Sequence, residues 1–392
     1  RSKIMVFITA SLFASVSGWL YAHTQSFINP TPFGLQMGID YLFMALLGGV
    51  GSIWGAILGA GIFTMVRQWL QDILPIIFGS EGHYETIFFG LIIIILMQKA
   101  PAGLWAFIVK YTPSRFKPVD IHPTIQPVEN TLKETEIPAK GTVILEAKNI
   151  TKKFGGLVAN NDMNLTIHAG EVLALIGPNG AGKSTMFNQI SGVDVPTSGE
   201  VIFQGKKTNG MASREIAKLG LSRTFQHVKI LPEMTVLENV AIGAHLRGDK
   251  GVLSSMFYLD REQENILLNE AKTQLERVGL GDYLYAEAGS LALGQQRILE
   301  IARALCASPS LLLLDEPAAG LRFKEKQALA ELLSRLREQG MAILLVEHDM
   351  DFVMNLADRI VVMEFGQKIA EGLPEEIQKN EAVLEAYLGG VA

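Results

Sequence analysis

Val172-Leu173-Ala174-Leu175-Ile176-Gly177-Pro178-Asn179-Gly180-Ala181-Gly182-Lys183-Ser184 is the stretch that decides the fold. Its first five residues are a continuous apolar run, the pattern of a strand buried on both faces. The next eight read G-x-x-x-x-G-K-S. Gly177, Gly180 and Gly182, with Pro178, Asn179 and Ala181 between them, let consecutive backbone N–H groups converge on phosphate. A helix starting near Lys183 adds the positive end of its dipole. In such a loop the lysine reaches the β- and γ-phosphates of a nucleotide. The Ser184 hydroxyl is expected to ligate Mg²⁺, and Thr185 beside it to contact the nucleotide.

Outward from this loop, short β-rich runs alternate with helical ones from Val143 onward, which is the sign of an α/β domain. A second apolar run at 311–314 ends in Asp315-Glu316. Side chains alternate along a strand, so the two acids point different ways. Asp315 suits the Mg²⁺ shell, and Glu316 suits polarising an attacking water. The single cysteine, Cys306, excludes an internal disulfide or a multi-Cys metal site and reads as a small buried apolar side chain. A formal net charge of −6 argues against a general nucleic-acid binder.

The first 110 residues are different in kind. They hold five basic residues (Arg1, Lys3, Arg67, Lys99, Lys110) and four acids (Asp40, Asp72, Glu81, Glu85). Residues 4–22 carry no charge and are long enough to cross a bilayer core of roughly 30 Å. A signal peptide is the competing reading; the length of the run and the lack of a small-x-small site argue against it. Residues 41–66 are uncharged but interrupted by Gly48-Gly49-Val50-Gly51-Ser52. Gly51, Gly55 and Gly59 then recur every fourth residue, placing a smooth stripe on one helix face for close helix approach. The interruption reads either as broken backbone at membrane depth near a substrate path or as a plain surface turn. A third apolar stretch, 86–97, is short for a span, and the lysines and arginine after it favour a membrane setting. With both flanking basic clusters on the cytoplasmic side, an even number of full crossings is expected. Residues 111–142 are Pro-rich and aperiodic, an extended linker. The expected division is therefore 1–110 membrane part, 111–142 linker and 143–392 ATP-binding domain. Because the chain begins at Arg1, it is expected to be a fragment or a processed product.

Three further landmarks follow in order: Gln226, then Leu291-Ala292-Leu293-Gly294-Gln295-Gln296 ahead of a helix, then His348 after a strand at 343–346. Together with the phosphate loop and the acidic pair, this order resembles the ABC ATPases over about residues 143–392. The resemblance implies a P-loop NTPase fold with a helical and an antiparallel β subdomain, preceded here by transmembrane helices. It implies that Phe154 stacks on adenine, that Gln226 senses Mg²⁺ and the permease, and that His348 contacts the γ-phosphate. Taken singly, Phe154 also reads as core, and Gln226 and His348 as surface. Gly294 and Gln295 open a helix expected at 295–307, whose N-terminus faces ATP held by a second ATPase subunit. Two positions depart from the family pattern: Ala292 stands for the usual serine, and Arg322 for the usual aspartate. Both lie on the face offered to the partner.

Ser222-Arg223-Thr224-Phe225-Gln226, Pro232-Glu233-Met234-Thr235-Val236-Leu237-Glu238-Asn239-Val240 and Glu347-His348-Asp349-Met350 are similar to the ATPase of branched-chain amino acid importers. Residues 47–60 and Pro101-x-Gly103-Leu104-Trp105 resemble the C-terminal end of that system's permease. The resemblance implies ATP and Mg²⁺ as cofactors. It implies a second ATPase, a second permease, a periplasmic amino-acid binding protein and membrane lipid as partners. The location it implies is a bacterial inner membrane with the ATPase domain in the cytoplasm. Helices before Arg1 and a coupling loop are expected to be missing. An importer of urea or another amide remains open at this point. A half-size exporter would need about six spans before the ATPase, and a ribosome or chromosome ABC protein would lack spans.

Overall fold

The computed structural model describes residues 2–25, 33–49, 52–78, 134–224, 228–251 and 260–388 continuously, with Gln226 and isolated residues elsewhere. It divides into two units, Arg1–Ile121 and His122–Ala392.

The first unit is helical: α1 (Ser2–Gln25), α2 (Leu35–Gly48) and α3 (Ile53–Phe78). Within it Lys3–Thr24 and Ile53–Ile73 are long and apolar enough to cross a membrane, and Met37–Gly48 is a shorter apolar helix. The glycine-broken stretch does split, giving α2 and α3 on either side of Gly49. These helices touch backbone to backbone. A Cβ on Gly48 would lie 1.8 Å from the Gly55 carbonyl oxygen, and one on Gly59 would lie 2.1 Å from that of Met44. This is the close approach the glycine spacing predicts. Asp40 and Arg67, which bracket the uncharged run, form an ion pair at 2.5 Å. A Cβ on Gly103 would lie 2.4 Å from the Gly49 Cα, so this backbone covers the break. Val50 and Gly51, much of 86–97 and most of 111–133 lie outside the described residues.

The second unit holds two sheets. Strands β1 (Val143–Phe154), β2 (Leu157–His168), β4 (Ser198–Phe203) and β5 (Lys206–Lys207) form an antiparallel sheet in the order β2-β1-β4-β5. The other strands are β3 (Val172–Ile176), β6 (Leu221–Arg223), β7 (Leu311–Asp315), β8 (Ala342–Val346), β9 (Arg359–Glu364) and β10 (Gln367–Gly372). They order as β10-β9-β3-β8-β7-β6, parallel except for β10.

Why the central strands are apolar throughout follows from the pleat. Leu311, Leu313, Ala342, Leu344 and Val346 face one core, which also takes in the inner faces of the antiparallel sheet. Leu312, Leu314, Ile343 and Leu345 face a second core under the helix Phe323–Glu338. With both faces covered, alternation has no polar phase. A third core lies among the helices Val236–Ala241, Arg261–Arg277 and Leu293–Leu305, which form the helical subdomain. Cys306 sits there fully buried, and burial pushes its thiol up to about 12. Of the linker, Ile125 and Leu132 pack on this third core, and the Thr135 amide donates to the Ser308 hydroxyl at 3.1 Å. The described residues of that stretch therefore lie on the domain they precede.

Candidate functional site

Strands β3, β7 and β8 end side by side, and the phosphate loop, Asp315, Glu316 and His348 follow at their carboxyl ends, where open parallel sheets bind ligands.

The loop after β3 turns into the helix Lys183–Ile190. Gly182 has φ +98, and a Cβ there would lie 2.3 Å from the Ala159 carbonyl oxygen, so only glycine lets the loop close on β2. Lys183 Nζ donates to the carbonyls of Gly177 and Pro178 at 2.6 and 2.9 Å. Burial lowers its pKa, and the neighbouring Glu316 and Asp315 carboxylates oppose that shift.

Asp315 closes β7 and Glu316 leaves it. The sequence placed both acids at the strand tip, but Glu316 has φ +50, and its amide donates to the Val346 carbonyl of β8 at 2.8 Å. That turn aims the two carboxylates apart. The Asp315 carboxylate is buried and accepts from Arg223 Nη2 at 3.3 Å; burial pushes its pKa up against the pull of Arg223. Glu316 Oε2 accepts from Gln226 Nε2 at 3.2 Å, and Glu316 Oε1 lies 3.0 Å from His348 Nε2. Gln226 and His348, from distant parts of the chain, thus meet at the Glu316 carboxylate.

They share a cleft of about 440 Å³ with Phe154, residues 179–185 and Phe365. Phe154 ends β1 half exposed, with Lys152 Nζ 4.9 Å above its ring. Of the other residues singled out from sequence, Gly177 and Pro178 engage Lys183 behind the loop, and Asp315 lies buried off the cleft lining. Gly294 and Gln295 do not line this cleft. They begin a helix that starts at Leu293 and ends at Leu305, two residues earlier at each end than expected. The cause of the early start is local: Ala292 is the N-cap, and its amide donates to the Gln295 side-chain oxygen at 3.1 Å. Gly294 is packed so tightly that a Cβ would lie 2.8 Å from the Glu325 carboxylate.

Several residues escaped the sequence reading. Glu347 is buried beside His348, accepting from the Ala318 amide at 2.6 Å and the His348 amide at 3.1 Å, and burial pushes its pKa up. Arg223 holds Asp315 and also donates to Asn188 and Ser191 at 2.7 and 3.0 Å. On the helix Leu293–Leu305, Arg297 donates to the Gln226 carbonyl at 3.1 Å. One turn on, Glu300 accepts from the Lys229 amide at 2.6 Å and Arg303 donates to its carbonyl at 2.6 Å. Arg223 and Glu347 stood within quoted motifs; nothing in the pattern marked Phe365.

A strand–glycine loop–helix unit, an acidic strand end and a histidine closing on it define the class: an α/β nucleotide hydrolase whose phosphate loop rests on a parallel sheet. A family model described as ABC transporter matches residues 160–319. One described as branched-chain amino acid ATP-binding cassette transporter matches residues 367–392. One described as branched-chain amino acid transport system / permease component matches residues 1–97. The high-affinity branched-chain amino acid transport ATP-binding protein LivG of Escherichia coli (strain K12) is 43% identical over 249 residues, 63% of this chain and 98% of LivG. An ATP-binding cassette of an ABC transporter, solved in its ADP conformation, aligns with TM-score 0.56 and 34% identity over 63% of this chain and 99% of that one. A dimeric ATP-binding cassette in a post-hydrolysis state, bound to ADP and Pi, aligns with TM-score 0.51 and 30% identity over 59% and 99%. The chain belongs to the ABC transporter family, as a nucleotide-binding ATPase cassette joined to a segment of the permease family. It is a membrane-bound transporter component with a cytoplasmic ATPase, working with partner ATPase and permease subunits.

Proposed function

We propose that this chain powers uptake of branched-chain amino acids (leucine, isoleucine and valine) across a bacterial inner membrane. One observation carries the reading: two different components of a single transport system, a permease and its ATPase, are matched in separate parts of one polypeptide. The expected partition is residues 1–110 as permease, 111–142 as linker and 143–392 as cassette. A periplasmic binding protein would deliver the amino acid, and a second permease and a second ATPase would complete the assembly.

In the cassette, the loop 177–184 cradles the triphosphate, Lys183 takes its β- and γ-oxygens, and Phe154 stacks on adenine. The donor set fits Mg²⁺, a hard cation that takes oxygen ligands. The Ser184 hydroxyl and Gln226 amide line the cleft, and the Asp315 carboxylate is fixed behind them by Arg223. An ion held by these residues would supply neutralisation of the phosphate charge. Glu316 takes the proton of the attacking water, and His348, in contact with that carboxylate, orients it. Gly294 and Gln295 serve the nucleotide of the second ATPase. The helix they open grips the backbone of Gln226 and Lys229 through Arg297, Glu300 and Arg303, so a shift at Gln226 and Lys229 carries Gly294 and Gln295 with it.

The test is reconstitution of the full-length chain with its companion subunits in vesicles. ATP-dependent uptake of labelled leucine, competed by isoleucine and valine, is expected. Uptake competed instead by urea, and not by valine, would overturn the substrate assignment.

A further inference from the structure

The nucleotide cleft has an apolar rim that phosphate chemistry does not require. Phe365 is 84% exposed, and Leu157, Val158 and Phe154 beside it are exposed at 66%, 39% and 51%. No large apolar side chain among the described residues of the cassette is more exposed than Phe365. Exposing a full aromatic ring to water is unfavourable, so a ring kept in this state invites a ligand surface.

The ring is held there by its backbone. Phe365 has φ +43, a left-handed conformation disfavoured for a bulky L-residue. The next residue is fastened on three sides. The Gly366 amide donates to the Ala181 carbonyl of the phosphate loop at 3.0 Å, and its carbonyl accepts from the Asn161 amide at 2.8 Å. A Cβ on Gly366 would lie 2.7 Å from the Ala159 carbonyl oxygen. The tip of the β9–β10 hairpin is therefore bolted to the phosphate loop and to β2. The ring it presents keeps a fixed position relative to any bound triphosphate. Glu364 pairs with Gln367, so residues 365 and 366 are a two-residue hairpin turn that requires positive φ at both, and the direction of the ring is set by that turn.

We propose that Phe365 is a second aromatic wall of the nucleotide site, packing against the nucleoside end of ATP opposite or beside Phe154. The proposal rests on the reading of this cleft as the nucleotide site. A phosphate loop alone binds any triphosphate; an apolar rim fixed to that loop adds a contact only a base-bearing ligand can use.

The experiment measures binding of Mg·ATP and of Mg·tripolyphosphate, which has no base, to the full-length chain. Phe365→Gly removes the ring and suits the left-handed backbone, so the hairpin keeps its shape; Phe365→Trp keeps an aromatic surface. Base–aromatic contacts predict a weakening of ATP binding by about five-fold to a hundred-fold in Phe365→Gly. Near wild-type affinity is expected in Phe365→Trp, with tripolyphosphate affinity unchanged in both. Lys183→Ala should weaken both ligands. Unchanged ATP affinity in Phe365→Gly would overturn the proposal, as would a parallel loss for tripolyphosphate, which would mean that the hairpin acts on the loop. If the unmutated chain bound neither ligand, the cleft reading itself would fall and this proposal with it.

Discussion

Replacing Glu316 by glutamine tests the hydrolytic centre most directly, because the structure lets the charge be removed without moving the residue. Glu316 is fixed by its backbone: its amide is bonded to Val346, and its carbonyl accepts from the Ala319 amide at 3.2 Å. Its side chain makes two contacts, accepting from Gln226 at 3.2 Å and lying 3.0 Å from His348 Nε2. A glutamine keeps both. Its oxygen accepts from Gln226, and its amide donates to a neutral His348. Geometry is thus preserved while the proton acceptor is lost. Removal of a general base slows turnover by about 10²- to 10⁴-fold, or about 2.7–5.5 kcal/mol of barrier. Binding should move the other way. A carboxylate facing the triphosphate is gone, so ATP should bind as tightly as before or more tightly. Phosphate release measured under single-turnover conditions, alongside equilibrium binding of a fluorescent ATP analogue, separates the two effects. Turnover within ten-fold of the parent, with binding intact, would remove Glu316 as the base.

Arg223→Met leaves Asp315 buried without its guanidinium and should cost about 3–5 kcal/mol of stability, seen as a lowered midpoint in denaturant; an unchanged midpoint would mean the pair does not hold β6 to β7. Ala292→Ser adds only a hydroxyl at the N-cap of the helix Leu293–Leu305, which affects helix stability by roughly 1 kcal/mol and removes no group from the site, so ATPase activity of the assembled transporter should stay within about five-fold; a severe loss would mean that face is adapted to its partner. Glu171 gives a pH test remote from the site. Burial opposes its ionisation, but Arg359 Nε at 2.7 Å and the His168 amide at 2.8 Å outweigh it and hold its pKa below the usual 4.5. The native state then takes up this proton at lower pH than the unfolded chain. The stabilisation is complete above the unfolded value and lost as pH falls through the folded one. Glu171→Gln should therefore be less stable by about 1 kcal/mol at neutral pH, with the gap closing in acid; a gap constant with pH would contradict the charge argument.

What could be read in the sequence, and what could not, divides along sequence separation. The phosphate loop, the acidic strand end and the glycine spacing that packs α2 on α3 are local: each is a short run whose residue types fix its own backbone. The order of motifs then carried the family resemblance, and with it Gln226 and His348. Arg223 and Asp315 are 92 residues apart and meet only because β6 and β7 are neighbours, which no local pattern states. Glu347 looks like an exposed acid next to a functional histidine until the chain folds it under Ala318. The two acids diverge as the sequence suggests, but strand alternation is not the cause. Strand alternation predicts two side chains on opposite faces, whereas the divergence comes from Glu316 stepping into a left-handed turn bonded to β8. The distinction matters for function. Alternation on a free strand end would leave the base positioned by β7 alone; the bond to Val346 makes its position depend on the strand that also delivers His348. Any displacement of β8 against β7 must therefore move the base and its histidine together.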